Sequence, residues 1–174
     1  MTLVEVMVAV VILTVSVAML SSTITATMAH SDDKFERQLA VEAAMNMLER
    51  MRAEPFDELF ARYNSFAGDD PGGAGTAPGT HFDVPGLDPW SDDADGLVGE
   101  VLVPGAGPTL IEQGVFQLHG LPRDLNGDLL VDDLDHADDY IILPVHVRVA
   151  WQGASGRRTF EMGTMLAHLE KFKQ

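Results

Sequence analysis

Cysteine is absent from the 174 residues, which excludes a disulfide framework, a thiolate metal site and a cysteine nucleophile. Basic side chains are scarce: 11 Lys and Arg stand against 27 Asp and Glu, for a formal charge of -16. So few cations leave no face for a phosphate backbone, so nucleic acid is not expected as a partner. Glycine and proline are missing from residues 1–54, and Pro55 is the first helix breaker. Residues 1–29 also lack charge, with Glu5 the one exception. An acidic residue costs about 2.5–3.5 kcal/mol at the centre of a membrane helix on insertion scales, and Glu5 lies at the edge of such a segment. Glu5 therefore needs a reason to be there.

What is present in the first 54 residues reads as one helix of roughly 80 Å, in two regimes. Residues 1–29 form an apolar half, for a membrane or a filament core, with residues 6–29 apolar nearly all round, about the length that crosses a bilayer. Residues 30–54 turn amphipathic: Phe35, Leu39, Ala43, Met47 and Met51 recur at four-residue spacing, beside Ala44 and Leu48. A secretory signal peptide is not the expectation for residues 1–29: no basic n-region is present, Met28-Ala29-His30 is a poor cleavage site, and the helix pattern runs straight on past it. Membrane helices are oriented by flanking Lys and Arg, yet Lys34, the first basic residue, follows the span. Either the segment inserts the other way round or a basic leader preceded Met1; the second is the expectation.

A short helix is expected over residues 56–63, followed by an irregular region, 55–110 in all. Its residues 66–110 hold ten Gly and six Pro. Strand candidates are THFDV (80–84), LVGEVLV (97–103) and GVFQLHG (114–120). The strongest β signal lies in the last region, 111–174. YIILPVHVRVAW (140–151) and RTFEMGTMLA (158–167) flank a Gly-containing turn, and Val145, Val147 and Val149 alternate with His146, Arg148 and Ala150. An antiparallel hairpin with one buried face follows, with His146 on the solvent side. The acidity lies mostly in 55–139, whereas 148–174 is basic; this polarity allows head-to-tail pairing or cation collection, or is simply a solvated surface.

TLVEVMVAVVIL, with Thr2, Leu3 and Glu5 ahead of an apolar helix that turns amphipathic, resembles the N-terminus of type IV pilins and pseudopilins. The resemblance implies that a prepilin peptidase cuts a basic leader ahead of Met1 and that Met1 is then N-methylated. It implies that Glu5 attracts the N-terminal amine of a neighbouring subunit and so sets axial register; an unpaired buried carboxylate is costly and a paired one is tolerated. It further implies an α+β fold, one very long N-terminal helix whose second half packs on a small antiparallel sheet. Ser22 stands where many major subunits have proline, and AVEAAMNMLERMRAEPF and VRVAWQGASGRRTFEMGTML look more like minor subunits of the I/V type. The implied partners are copies of itself, related pilins, the assembly machinery and, before assembly, the inner membrane; the implied destination is a periplasmic or cell-surface filament. The other reading of Glu5 is a headgroup-level residue of a single-pass anchor. The protein would then be a periplasmic calcium-binding or partner-binding domain that never polymerises.

DLNGDLLVDDLD (124–135) places oxygen side chains at positions 1, 3, 5, 9 and 12 of a twelve-residue loop: Asp124, Asn126, Asp128, Asp132 and Asp135. That is the Ca²⁺ pattern, with the Leu130 carbonyl at position 7 and Val131 as an anchor to the core. It is similar to the loops of dockerins and EF-hands, but position 6, normally Gly, is Leu129. A structural Ca²⁺ is expected; a solvated acidic turn is the alternative. DDADG (92–96) is a weaker candidate. The six histidines lack paired ligand spacing; His136, beside the acidic loop, reads as a neutral surface residue, with metal binding the alternative, and Met45, Met47 and Met51 read as core filler. No nucleophile motif or phosphate loop is present, so an enzyme is not expected.

Overall fold

The computed structural model describes residues 2–105, 107–113, 120–154 and 156–168, with the Ala29 side chain left out. Met1 and most of the strand candidate 114–120 lie outside the described residues. The architecture is α+β: helix α1 (Leu3–Ala53) packs on a four-stranded antiparallel sheet. Its strands are β1 (His81–Phe82), β2 (Gly99–Leu102), β3 (Ile142–Gly153) and β4 (Gly156–Ala167), in the order β1-β2-β3-β4.

Helix α1 begins with a capping box. Thr2 Oγ1 accepts the Glu5 N–H, and the Glu5 carboxylate accepts the Thr2 N–H, each at 3.3 Å. Two of the helix's orphan donors are thereby satisfied. Among the described residues nothing covers its first half: Leu3, Val11, Leu13, Met19 and Met28 are all exposed. Polar side chains in this half turn inward. Thr14, Ser16, Ser21, Thr23, Thr25 and Thr27 donate to carbonyls four residues back, and Ser22 to Met19. Such back-bonding leaves no hydroxyl in need of water. The helix is long and apolar enough to cross a membrane.

The second half covers the sheet with Ala40, Ala44, Met47, Leu48 and Met51, all buried, while Met45 faces out. Phe35, expected on this stripe, is 62% exposed. A four-residue step advances about 400° round a helix, so a strict four-residue row drifts by about 40° per step. Over the row from Met51 back to Phe35 it turns onto the opposite side. The residues in register with Ala40 are Asp33 and Glu36 instead; Asp33 binds Arg158 at 2.8 Å and Glu36 accepts the Trp151 indole N–H at 2.9 Å.

Strand β3 supplies the sheet's inner face through Val145, Val147, Val149 and Trp151, all buried. On the outer face Arg148 lies between Glu161 of β4 (2.7 Å) and Glu100 of β2 (3.3 Å). His146 shares that face but is half-buried, because its ring lies over Gly163; a Cβ there would come within 2.3 Å of Nε2. After α1 a 3-10 turn (Phe56–Glu58) leads into α2 (Leu59–Tyr63). Tyr140 fastens this segment to the sheet side: its hydroxyl donates to the Phe56 carbonyl and accepts the Phe60 N–H.

Candidate metal centre

The acidic loop 124–135 has no regular structure and is held by its own carboxylates. Asp124 accepts the N–H groups of Gly127 and Leu129, Asn126 that of Asp128, Asp128 that of Leu130, and Asp132 that of Leu134. Each acceptor fixes the turn that follows it, the local chemistry for which Asp and Asn are favoured in turns. Leu129 has φ 70°, the only positive value at a described non-glycine residue. Loop position 6 therefore takes the conformation that usually selects glycine. Val131 does not anchor the loop, being 41% exposed; Leu125 at position 2 is fully buried and does so instead.

The side chain that organises this loop from beneath is Glu112, which is 1% exposed. One oxygen accepts the Leu125 N–H at 2.5 Å and the other the Asp132 N–H at 3.3 Å, joining the two ends of the loop. His136 lies beside it and is buried rather than on the surface, at 4% exposure. The expectation of a surface histidine fails because the chain turns back at 136–140, with His136 N–H donating to the Leu110 carbonyl at 2.8 Å. Its ring contacts carboxylates on both sides: Nδ1 is 3.0 Å from Asp139, and Nε2 is 3.2 Å from Asp132 and 3.9 Å from Glu112.

Glu112, Asp132 and His136 each bring a ligand atom within 4.8 Å of the others, the only such group among the described residues, and they can hold a metal ion. Asp139 on Nδ1 orients the ring and leaves Nε2 toward the carboxylates, the second-layer arrangement usual for a ligating histidine. Burial pulls the His136 pKa down, but the hydrogen bonds its ring donates to Asp132 and Asp139 and the charge of Glu112 outweigh it and leave it above the usual value. The Leu134 N–H, and then His136, hold the Asp132 carboxyl below the usual carboxylate range. The imidazolium and a metal ion are thus alternative ways to neutralise one buried carboxylate, and an unpaired charge there is costly.

Of the aspartates nominated by loop spacing, Asp132 alone belongs to this group. Asp124 is half-buried but spent on the N–H groups of Gly127 and Leu129, Asp128 is exposed, and Asp135 turns to the N–H groups of Leu110 and Ala137. Asp92 of the weaker candidate pairs with Arg157 at 2.6 Å. Sequence spacing missed Glu112, though a signal existed: it is the only Asp, Glu, Lys or Arg between Glu100 and Arg123. No protein-family model, no curated protein and no solved structure matches this chain.

Proposed function

We propose that this chain is a structural subunit of a type IV pilus or pseudopilus filament, held in the membrane by the first half of α1 and polymerised through it. One observation carries the reading: α1 is a single 51-residue helix of which one half is docked on the sheet and the other is bare and apolar. Water is a poor solvent for that half, since each large apolar side chain left exposed forgoes about 1.5–3 kcal/mol. Lipid accommodates it before assembly, and the same half of neighbouring copies accommodates it afterwards. The Thr2-Leu3-Val4-Glu5 start supports the same reading.

In the free chain Glu5 closes its own capping box, which lowers the cost of carrying it until a neighbour's amine arrives. That contact also favours a second reading, a single-pass anchored domain, because it gives Glu5 a partner without any filament. The mass of the N-terminal peptide of the native protein separates the two. Met1 retained and carrying one N-methyl group is the expected result. A chain that starts at Thr2, or an unmethylated N-terminus, would favour the anchor.

The structural metal in this reading is Ca²⁺, taken by the Asp124, Asn126, Asp128, Leu130, Asp132 and Asp135 loop. Oxygen-bearing side chains at five of these positions, with the Leu130 carbonyl at the sixth, support it. The competing divalent class is a transition ion at Glu112, Asp132 and His136, because imidazole suits those ions better.

A further inference from the structure

We propose that a cleft between α1 and the β3–β4 hairpin binds the headgroup of an anionic phospholipid at the membrane surface. The proposal rests on the membrane-held stage of the function above. The cleft has a volume of about 400 Å³, and His30, Asp33, Lys34, Arg37, Trp151 and Arg158 are among the residues that line it. Its composition is opposite to that of the chain. In a protein of charge -16, three of the 11 Lys and Arg meet here against one lining carboxylate, Asp33.

Two of the three are uncommitted. Arg158 is bound to Asp33, but Lys34 and Arg37 have no ion pair among the described residues. Both are exposed, and they leave a net positive cleft in which an anion is the missing partner. A phosphate answers the cations, and phosphatidylglycerol presents one with a net negative charge and no ammonium beside it to offset it.

The position along α1 fits a lipid better than a soluble anion. Counted from Glu5, about 20 residues at 1.5 Å each cross the hydrocarbon core, which brings the helix out near residue 26. His30 is then about one turn outside, with Lys34 and Arg37 on the next two turns. Long basic side chains reach back toward the phosphates, and cations so placed strengthen attachment to anionic lipid. Trp151 closes the inner wall of the same cleft, its indole N–H held by Glu36 at 2.9 Å.

The full chain, placed in nanodiscs of phosphatidylcholine, phosphatidylethanolamine and phosphatidylglycerol in equal parts, tests this by native mass spectrometry of the lipids it retains. Wild type is expected to retain about five or more phosphatidylglycerols for each phosphatidylcholine, against one for one in the disc. Lys34→Gln with Arg37→Gln, at exposed positions that leave the circular dichroism unchanged, should return it to the disc ratio. Enrichment that survives the double substitution overturns the site. A wild-type chain that inserts yet holds phosphatidylglycerol at the disc ratio overturns the lipid and leaves the membrane reading standing. If dimers appear instead and the double variant loses them, the cleft belongs to a second copy and the lipid proposal fails. A chain that inserts in no disc fails the membrane reading, and the lipid site falls with it.

Discussion

Leu129 stands at φ 70° with its side chain 90% exposed, so its strain is not offset by burial. A left-handed conformation costs a non-glycine residue about 1–2 kcal/mol, and glycine adopts it freely at an entropic cost of about 0.5–1 kcal/mol. Leu129→Gly is therefore expected to raise stability by up to about 1 kcal/mol, read by urea unfolding. A fall instead would show that the exposed leucine has a contact of its own to make. The chain's two tyrosines give a pH test at the same scale. Burial above all pushes both Tyr63 and Tyr140 up to about 12, with Glu54 adding to the effect at Tyr63. The folded state favours each neutral phenol. Its contribution is intact below the ordinary value of 10.0 and is lost as pH rises through about 12. Alkaline titration followed by phenolate absorbance should show almost no ionisation at pH about 10.5, where free tyrosine is mostly ionised. A normal titration curve in the folded chain would show that the two phenols are open to water in solution.

At the scale of elements, period was enough for existence and type. The helix free of Gly and Pro appears as α1, and the Val145, Val147, Val149 alternation appears as the buried face of β3. Its turn, read from Gly153 and Gly156, separates β3 from β4 where expected. Which face of α1 docks was less legible, because a four-residue row and a straight stripe diverge over several turns. Mutation should separate them. Met51→Ala, at a fully buried position, is expected to cost about 2–5 kcal/mol in urea unfolding. Phe35→Ala, on the side turned away from the sheet, should change stability by less than about 0.5 kcal/mol. Equal costs would mean that Phe35 is covered in solution, by the sheet or by another copy. The short strands β1 and β2 were visible only as hydrophobic fragments in Gly- and Pro-rich sequence, since their partners are supplied by tertiary pairing rather than by local pattern.

Over the whole molecule, the candidate site shows where sequence spacing runs out. A twelve-residue loop can be counted along the chain, but Glu112 and His136 flank it and meet only once the chain has folded back from 110 to 136. The charge pattern was legible as a division between acidic and basic regions; the structure adds that one carboxylate within the acidic region is almost completely buried. Such a group has two available neutralisers, the His136 proton and a metal ion, and a thermal-shift series on the full chain in detergent distinguishes them. A divalent ion that binds the native state at a hundredfold excess over its Kd stabilises by about 2.7 kcal/mol, and chelator should remove that gain. If Ca²⁺ gives the shift, Asp124→Ala with Asp128→Ala should abolish it, while His136→Gln lowers it only modestly. If Zn²⁺ or Mn²⁺ gives the shift and Ca²⁺ does not, His136→Gln should abolish it and the aspartate pair should matter little. Glu112→Gln serves as the common control: it keeps the shape and one acceptor beneath the loop but removes the buried charge. It should weaken the ion's effect if Glu112 is a ligand, and leave it intact if the metal sits only in the outer loop. No shift with any of the three ions would remove the metal from this protein and leave Glu112 and His136 as a buried ion pair that ties the loop to the core.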